Sequence, residues 1–465
     1  MTIAKELARR IGAFRFDDLP EDAVAWAKTA ILDTMGVTLA GAGEDCVRIL
    51  ENVQGIGAAP GPCLVFGGAT RTGPLDAVLI NGTASHALDF DDLGETIGGH
   101  PSVPLVPAII ALGEMTGASG SDAVTAYVAG FEVESGMGRA ANFHHYQKGW
   151  HPTVTLGVFG TVAAASRLLE LTEEQTETAL GLAVSLASGV KANFGTMTKP
   201  LHVGHCARNG LMAALLARDG FTANGGAFEH PQGFFEVFNG PGNFDADRIF
   251  ENWADPLDII DPGLGLKPFP CCGCTHAAIN CMLRLVRDEG LKPEDAAKIE
   301  ILSHPRCLPH TDNPDPQNGL EGKFSVHYVT ARALTDGRVG FDHFEGRAFA
   351  DDGVRALMAL MTTGEHPDMP ADSKEQFGGE VIVTTRDGRR LSHRIDHQIG
   401  RGPANPMSGD ELWEKFRDCA GRALPEERIG PLFEMLGRFE TLASLAELTA
   451  AIEFDGAGGA ERAGQ

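Results

Sequence analysis

From the first residues to about position 220, apolar side chains recur at three- and four-residue steps, and that spacing commits the stretch to amphipathic helices. Ile3, Leu7, Ile11 and Phe14 form one such face. A second helix is predicted after Leu19-Pro20, through AVAWAKTAILDTMGVTLAG, with the proline acceptable in a first turn. Further helices are predicted over 75–87, 106–115, 121–141, 153–171, 173–188 and 204–218. Strand-like alternation is nearly absent, so this half reads as all-α. Glycine refines the reading: 58 in 465 residues is about 12%, against a usual value of about 7%. Much of it lies in these helices, where a missing side chain lets backbones approach closely.

The texture changes after Pro262-Gly263. Lys298 to Ser303 alternates like a half-buried strand, as does Val381 to Thr385. Asp387-Gly388 and RRLSHRI follow, the short-range signature of a β-hairpin. Helices are predicted at 275–288, 325–336 and 352–362, so residues 265–400 read as an α+β unit. Helical periodicity returns at 408–421, 427–438 and 440–454, and the tail from Asp455 is expected to fray. The expected architecture is mainly α: a helical domain over 1–264 and 401–465, with an α+β lid domain inserted at 265–400.

With 38 Lys+Arg against 63 Asp+Glu, the net charge is −25. A phosphate backbone or an anionic membrane surface would be repelled, which argues against nucleic-acid or membrane binding as the main task. No apolar run reaches the roughly 18 residues of a membrane helix, and MTIAKELARR lacks the apolar core of a secretory signal. Nine cysteines, an odd number, read as reduced thiols in a cytoplasmic protein.

Five segments place ionisable groups among glycines, prolines and small residues. HALDFDDLGETIGGHPS (86–102) combines Asp89, Asp91 and Asp92 with His100. It suits a divalent metal, a general acid/base pair, or a helix cap and turn. GWHPT (149–153) sets His151 before a proline, at a helix entry. In TKPLHVGHCARNG, Lys199, His202, His205 and Arg208 recur every third residue, read here as one face at a helix N-terminus. Cations there oppose the helix dipole but favour anion binding. KPFPCCGCTH (267–276) brings Lys267 together with Cys271, Cys272, Cys274 and His276. A zinc or iron–sulfur site normally shows paired spacings, and no second pair is evident beside the isolated Cys281 and Cys307, so no metal is assigned. The fifth segment, GKFSVHYVTARAL, carries Tyr328, one of three tyrosines, as a hydrogen-bond or proton donor.

In order and wording these segments resemble the MmgE/PrpD family, which includes 2-methylcitrate dehydratase, cis-aconitate decarboxylase and iminodisuccinate epimerase. The resemblance spans nearly the whole chain through HALDFDD…HPS, GWHPT, TKPLHxGHxARNG, KPFPxCxxTH and the late tyrosine. It implies a large all-α domain with an α+β lid, a homodimer, and a small anionic substrate. It also implies that Asp89, His100, His151, Lys199, Lys267 and Tyr328 occupy active-site positions. Of these, His100, His151, Lys199 and Lys267 are expected to converge on one cleft between the helical domain and the inserted unit, the usual place for a small-ligand site. Leu93 departs from a threonine common in relatives, with Thr96 as a substitute hydroxyl; this bears on substrate identity.

The family's substrates are di- and tricarboxylates whose reactive carbon lies next to a carboxylate. Removing that proton builds a second negative charge, so a base must act beside concentrated positive charge. Lys199, Lys267, His100 and His151 would supply it, while Asp89, His202 and Arg208 would hold substrate. The favoured activity is a cofactor-independent lyase of the 2-methylcitrate dehydratase type. Decarboxylation or epimerisation of a related anion comes next, and a non-catalytic binder or an iron–sulfur hydratase ranks lower.

Overall fold

The computed structural model describes residues 1–371, 377–396 and 400–454, so the tail read as frayed lies outside the described residues. Two compact units divide the chain. The first comprises residues 1–193, 197–266 and the segment from Arg401 onward; the second comprises 194–196 and 267–400.

The first unit is built of helices whose apolar stripes meet in two adjoining cores. Ile3–Ala13 is capped by the Thr2 hydroxyl and buries Ala4, Leu7, Ala8 and Ile11, the face its periodicity predicts. Glu21–Gly41 starts behind Pro20 with two acidic residues in its first turn, where they complement the helix dipole. The C-terminal helix Gly409–Ala420 packs on it, and Lys415 forms a buried ion pair with Asp33 at 2.6 Å. The same ammonium donates to the Phe90 carbonyl at 3.0 Å, which pins the segment between the candidate aspartates.

Glycine sets the spacing of the pair that carries the site, Pro74–His86 and Thr198–Arg218. A Cβ on Gly82 would lie 2.8 Å from the Gly204 Cα, and one on Gly204 would lie 2.1 Å from the Leu79 carbonyl oxygen. No other residue permits this approach. The helices Gly120–Ala141 and Gly157–Leu168 use the same device, with Gly130 and Gly160 each facing the other's carbonyl.

Several boundaries differ from expectation. The helix predicted at 106–115 is Ser102–Thr116. Pro104 falls in its first turn, where no backbone donor is needed, and Asp92 caps it. The run predicted at 153–171 breaks at Leu156 into Pro152–Thr155 and Gly157–Leu168. Two short antiparallel pairs, Pro60–Leu64 with Arg71–Thr72 and Leu93–Gly94 with Leu264–Gly265, interrupt an otherwise helical unit.

In the second unit a four-stranded sheet has the order Met361–Glu365, Ala296–Ser303, Gly379–Thr385, Arg390–Ile395. The first two strands are parallel and the rest antiparallel. The end of the helix predicted at 352–362 is thus an edge strand: the helix stops at Met358, and Met361–Glu365 pairs in register with Ile299–Ser303. Helix His276–Glu289 packs on Gly379–Thr385 and Arg390–Ile395, Val326–Asp336 packs on that helix, and together they close a separate core.

Candidate active site

The Pro74–His86 helix ends in a turn at Asp89, whose φ of 54° lies in the left-handed region that aspartate tolerates better than most residues. The reversal sends the three aspartates in different directions. Asp92 is the helix cap: its carboxylate accepts from the Ser102 backbone at 3.3 Å and from the Ser102 hydroxyl, which also bonds Tyr127 at 2.6 Å. Burial pushes Asp92 up to about 7, despite the bonds from Ser102.

Asp91 and Asp89 turn toward histidines and a lysine. One Asp91 oxygen, Oδ2, lies 2.9 Å from Nδ1 of His86 and 2.9 Å from Nδ1 of His100. Burial would raise this carboxyl, but the two imidazoles, His100 foremost, hold it well below the usual carboxylate range. Nδ1 of His100 also lies 2.8 Å from the Asp92 carbonyl oxygen. Two acceptors on that side put the ring proton on Nδ1 and leave Nε2 as the basic nitrogen, 3.9 Å from Asp89 Oδ1. The same Asp89 oxygen lies 2.5 Å from Lys199 Nζ. Lys199, the second residue of its helix, is 4% exposed and sits at the positive end of the helix dipole.

Two further histidines adjoin this group. His151 is buried at the entry to Pro152–Thr155; its ring stacks on His86 at 5.8 Å and approaches that of His202 at 5.6 Å. Burial, reinforced by His86 and Lys199, keeps His151 well below its ordinary value. Burial likewise drives His86 down to about 3 and His202 to about 4. These rings are therefore neutral at pH 7.

Asp89, His100, His151, Lys199 and His202 are thus brought together within the first unit. Arg208 is not. Each three-residue step on a helix falls about 60° short of a full turn, so nine residues carry Arg208 to the face opposite Lys199. His205, between them, is already exposed. The reading of one shared cationic face is corrected accordingly. Lys267 lies in the second unit and is fully buried. Tyr328, also in that unit, donates its hydroxyl proton to the His343 carbonyl and accepts from Arg332 Nε at 3.1 Å. Its only proton is committed, so the role of proton donor does not fit this geometry. Thr96 does not replace the hydroxyl missing at Leu93, because its side chain bonds Asp258.

His86 was not singled out from the sequence. It closes an apolar helix, where a lone histidine reads as a cap; only the turn that follows brings it to Asp91. The cysteines also differ from expectation: Cys274 and Cys307 form a disulfide with their Cα atoms 5.2 Å apart. His86, Asp89, Asp91 and His100 present donor atoms within 4.8 Å of one another, a set a divalent cation could use. The Lys199 ammonium already supplies positive charge to Asp89 there, and no metal is assigned to this cluster.

Residues 5–247 match the MmgE/PrpD N-terminal domain and residues 269–433 the MmgE/PrpD C-terminal domain, and the chain belongs to this family. It is 29% identical to cis-aconitate decarboxylase of Homo sapiens over 462 residues, covering 96% of this chain and 94% of the relative. It is 26% identical to cis-aconitate decarboxylase of Aspergillus terreus over 481 residues, covering 96% and 95%. It is 24% identical to 2-methylcitrate dehydratase of Cupriavidus necator over 433 residues, covering 86% and 87%.

Proposed function

We propose that this protein is a cofactor-independent lyase that acts on a small di- or tricarboxylate by moving a proton at carbon next to a carboxylate. The observation that carries the reading is the shared Asp91 oxygen, 2.9 Å from Nδ1 of both His86 and His100, with Lys199 2.5 Å from neighbouring Asp89. A carboxylate behind a histidine fixes its tautomer and steadies the imidazolium that forms when Nε2 takes a proton. His100 is the proton-transfer group in this proposal, and Lys199 with its helix N-terminus stabilises the charge that develops on substrate. Neutral His151 and His202 add hydrogen bonds to substrate carboxylates without adding charge.

Two reactions use this apparatus. In decarboxylation the C–C bond breaks, carbon dioxide leaves, and the carbanion takes a proton that His100 Nε2 has first taken up from solvent. In dehydration His100 Nε2 removes a proton next to a carboxylate, and hydroxide departs with a proton from a second donor. Decarboxylation of cis-aconitate is the first reading, supported by relatives of that name at 29% and 26% identity over nearly the full chain. Dehydration of 2-methylcitrate, favoured from the sequence, is the second, supported by the relative at 24%. Lys267 matches a family motif position, and its part in turnover is tested by replacing it with Met. A homodimer and a cytoplasmic location belong to the same proposal, and light scattering on the purified protein checks the first.

The deciding experiment incubates purified protein with cis-aconitate, 2-methylcitrate, citrate and iminodisuccinate and follows products by mass spectrometry. Loss of carbon dioxide from cis-aconitate supports the first reading. Loss of water from 2-methylcitrate with cis-aconitate untouched supports the second. Inertness toward all four contradicts the assignment of substrate class.

A further inference from the structure

The second unit contains a cluster that the proton chemistry above does not use. Cys272, Cys274 and His310 present donor atoms within 4.8 Å of one another, and Cys307 is bonded to Cys274. Four donors therefore come together from two short segments. Cys272 and Cys274 flank Gly273 in the turn that leads into the His276–Glu289 helix. Cys307 precedes the short helix Leu308–Thr311, which carries His310 three residues on. A Cys-x-Cys pair thus faces a Cys-x-x-His pair, the two-by-two arrangement that tetrahedral zinc sites show and that looked incomplete in the linear sequence.

The surroundings hold both pairs. The Cys272 backbone donates to the Lys323 carbonyl at 3.0 Å, and the Thr275 hydroxyl donates to the Cys272 carbonyl at 2.8 Å. The Thr311 hydroxyl donates to the Cys307 carbonyl at 2.7 Å, and the Cys307 backbone to the His304 carbonyl at 2.9 Å. Other cysteines of this unit are engaged elsewhere: Cys271 Sγ lies 3.4 Å from the Thr275 hydroxyl, and Cys281 contacts the Gly379 carbonyl at 3.6 Å. Metal–sulfur bonds of about 2.3 Å in a tetrahedron put ligand sulfurs about 3.8 Å apart. Rotation of the Cys274 and Cys307 side chains after reduction would open that distance without moving either backbone far.

We propose that Cys272, Cys274, Cys307 and His310 form a redox-gated site for one borderline-soft divalent cation, zinc above all. The reduced form binds it through three thiolates and one imidazole; the disulfide, which ties up two of the sulfurs, does not. The chemistry balances in both directions. A dithiol reductant gives two electrons and two protons to the Cys274–Cys307 bond and leaves as its own disulfide. Zinc binding then displaces three protons from the three thiols. In reverse, hydrogen peroxide takes two electrons from the Cys274 and Cys307 thiolates, which join as a disulfide. With two protons it becomes two waters; a third proton returns to Cys272, and zinc leaves. Zinc is preferred to calcium or magnesium because three of the four donors are sulfur.

The test uses the full chain, reduced under anaerobic conditions, with cobalt(II) as the probe and zinc as competitor. One cobalt per chain, with thiolate-to-metal charge-transfer absorption and displacement by zinc, is the expected result. Cys307→Ser and His310→Ala should weaken binding at least tenfold. Cys272→Ser retains both halves of the disulfide, which guards against loss of fold; it should keep the Cys274–Cys307 bond while losing part of the charge-transfer band. Peroxide added to the zinc form should release one zinc per chain as two thiols disappear. A spectrum without thiolate character would place the cobalt on oxygen and nitrogen ligands and overturn the proposal. So would less than stoichiometric binding by the reduced protein, or zinc retained after the disulfide has formed.

Discussion

The two units bury ionisable side chains in opposite ways. In the first, Asp91 sits between His86 and His100, and Asp89 faces Lys199, so each charge lies within 2.9 Å of a partner that can exchange a proton with it. In the second, the gathered groups are sulfurs and one imidazole, and two of the sulfurs have bonded to each other. The supporting frames differ too. The first cluster hangs on two helices held together by glycines with no room for a side chain; the second lies in the short turn that precedes the His276–Glu289 helix and at the short helix Leu308–Thr311. Tight helix spacing suits proton transfer, which fails when a hydrogen bond lengthens. A site that opens and closes a sulfur–sulfur bond needs some freedom at its ligands. The contrast is that of an acid/base cluster and a soft-ligand cluster within a single chain.

The largest effect is expected where the first cluster loses its central charge. Asp91→Asn keeps the shape but removes the anion that orients His86 and His100. Turnover should fall by about two to four decades, as for removal of an oriented general base, with the circular dichroism spectrum unchanged. A loss under threefold would make Asp91 a structural residue and dissolve the proposed dyad.

A smaller effect concerns the frames. Gly204→Ala forces a methyl to 2.1 Å from the Leu79 carbonyl oxygen, so the helices must separate. Urea unfolding should register a loss of about 1–3 kcal/mol, the usual cost of overpacking, together with reduced turnover. Gly364→Ala, in the edge strand of the second unit, meets only Leu302 at 3.5 Å. Its stability should change by less than about 0.5 kcal/mol. Equal costs at both positions would erase the distinction between tight and ordinary packing.

The smallest effect is a pH dependence. His86 is held down at about 3 by burial, against an ordinary value of 6.5, so between those limits the unfolded chain binds a proton that the folded chain refuses. Its contribution is complete above pH 6.5 and declines as pH falls toward 3. Thermal melts of wild type and His86→Asn should therefore converge as pH drops from 7 to 5. A gap that widens in acid would mean that folded His86 takes up the proton.

Much of the helical frame was legible because the first unit repeats one simple pattern. Ile3–Ala13, Glu21–Gly41 and Gly120–Ala141 match their periodicity to within about one residue at each end. Prolines obscured the start of Ser102–Thr116, since a cap from Asp92 is a tertiary contact that no local window contains. Met361–Glu365 was hidden because a short apolar run after a helix reads as more helix; its parallel partner lies some sixty residues earlier. Within the site, Asp89, His100, His151, Lys199 and His202 carried enough local signal to be named. His86 did not, because an isolated histidine closing an apolar helix looks ordinary. Cys307 and His310 were opaque for a related reason: their pairing with Cys272 and Cys274 spans 33 residues and exists only in the fold.

The central claim is that the first cluster performs chemistry and does not merely attract an anion, and Lys199→Met tests it most directly. The substitution keeps most of the apolar stem and removes the charge opposite Asp89. Steady-state kinetics on the substrate identified by the screen should show turnover reduced by at least two decades, about 3 kcal/mol of lost transition-state stabilisation. The Michaelis constant should change much less, because His100, His151 and His202 still bind the ground-state carboxylates. Wild-type turnover at saturating substrate, with only the Michaelis constant raised, would contradict the account and reduce Lys199 to an anchor.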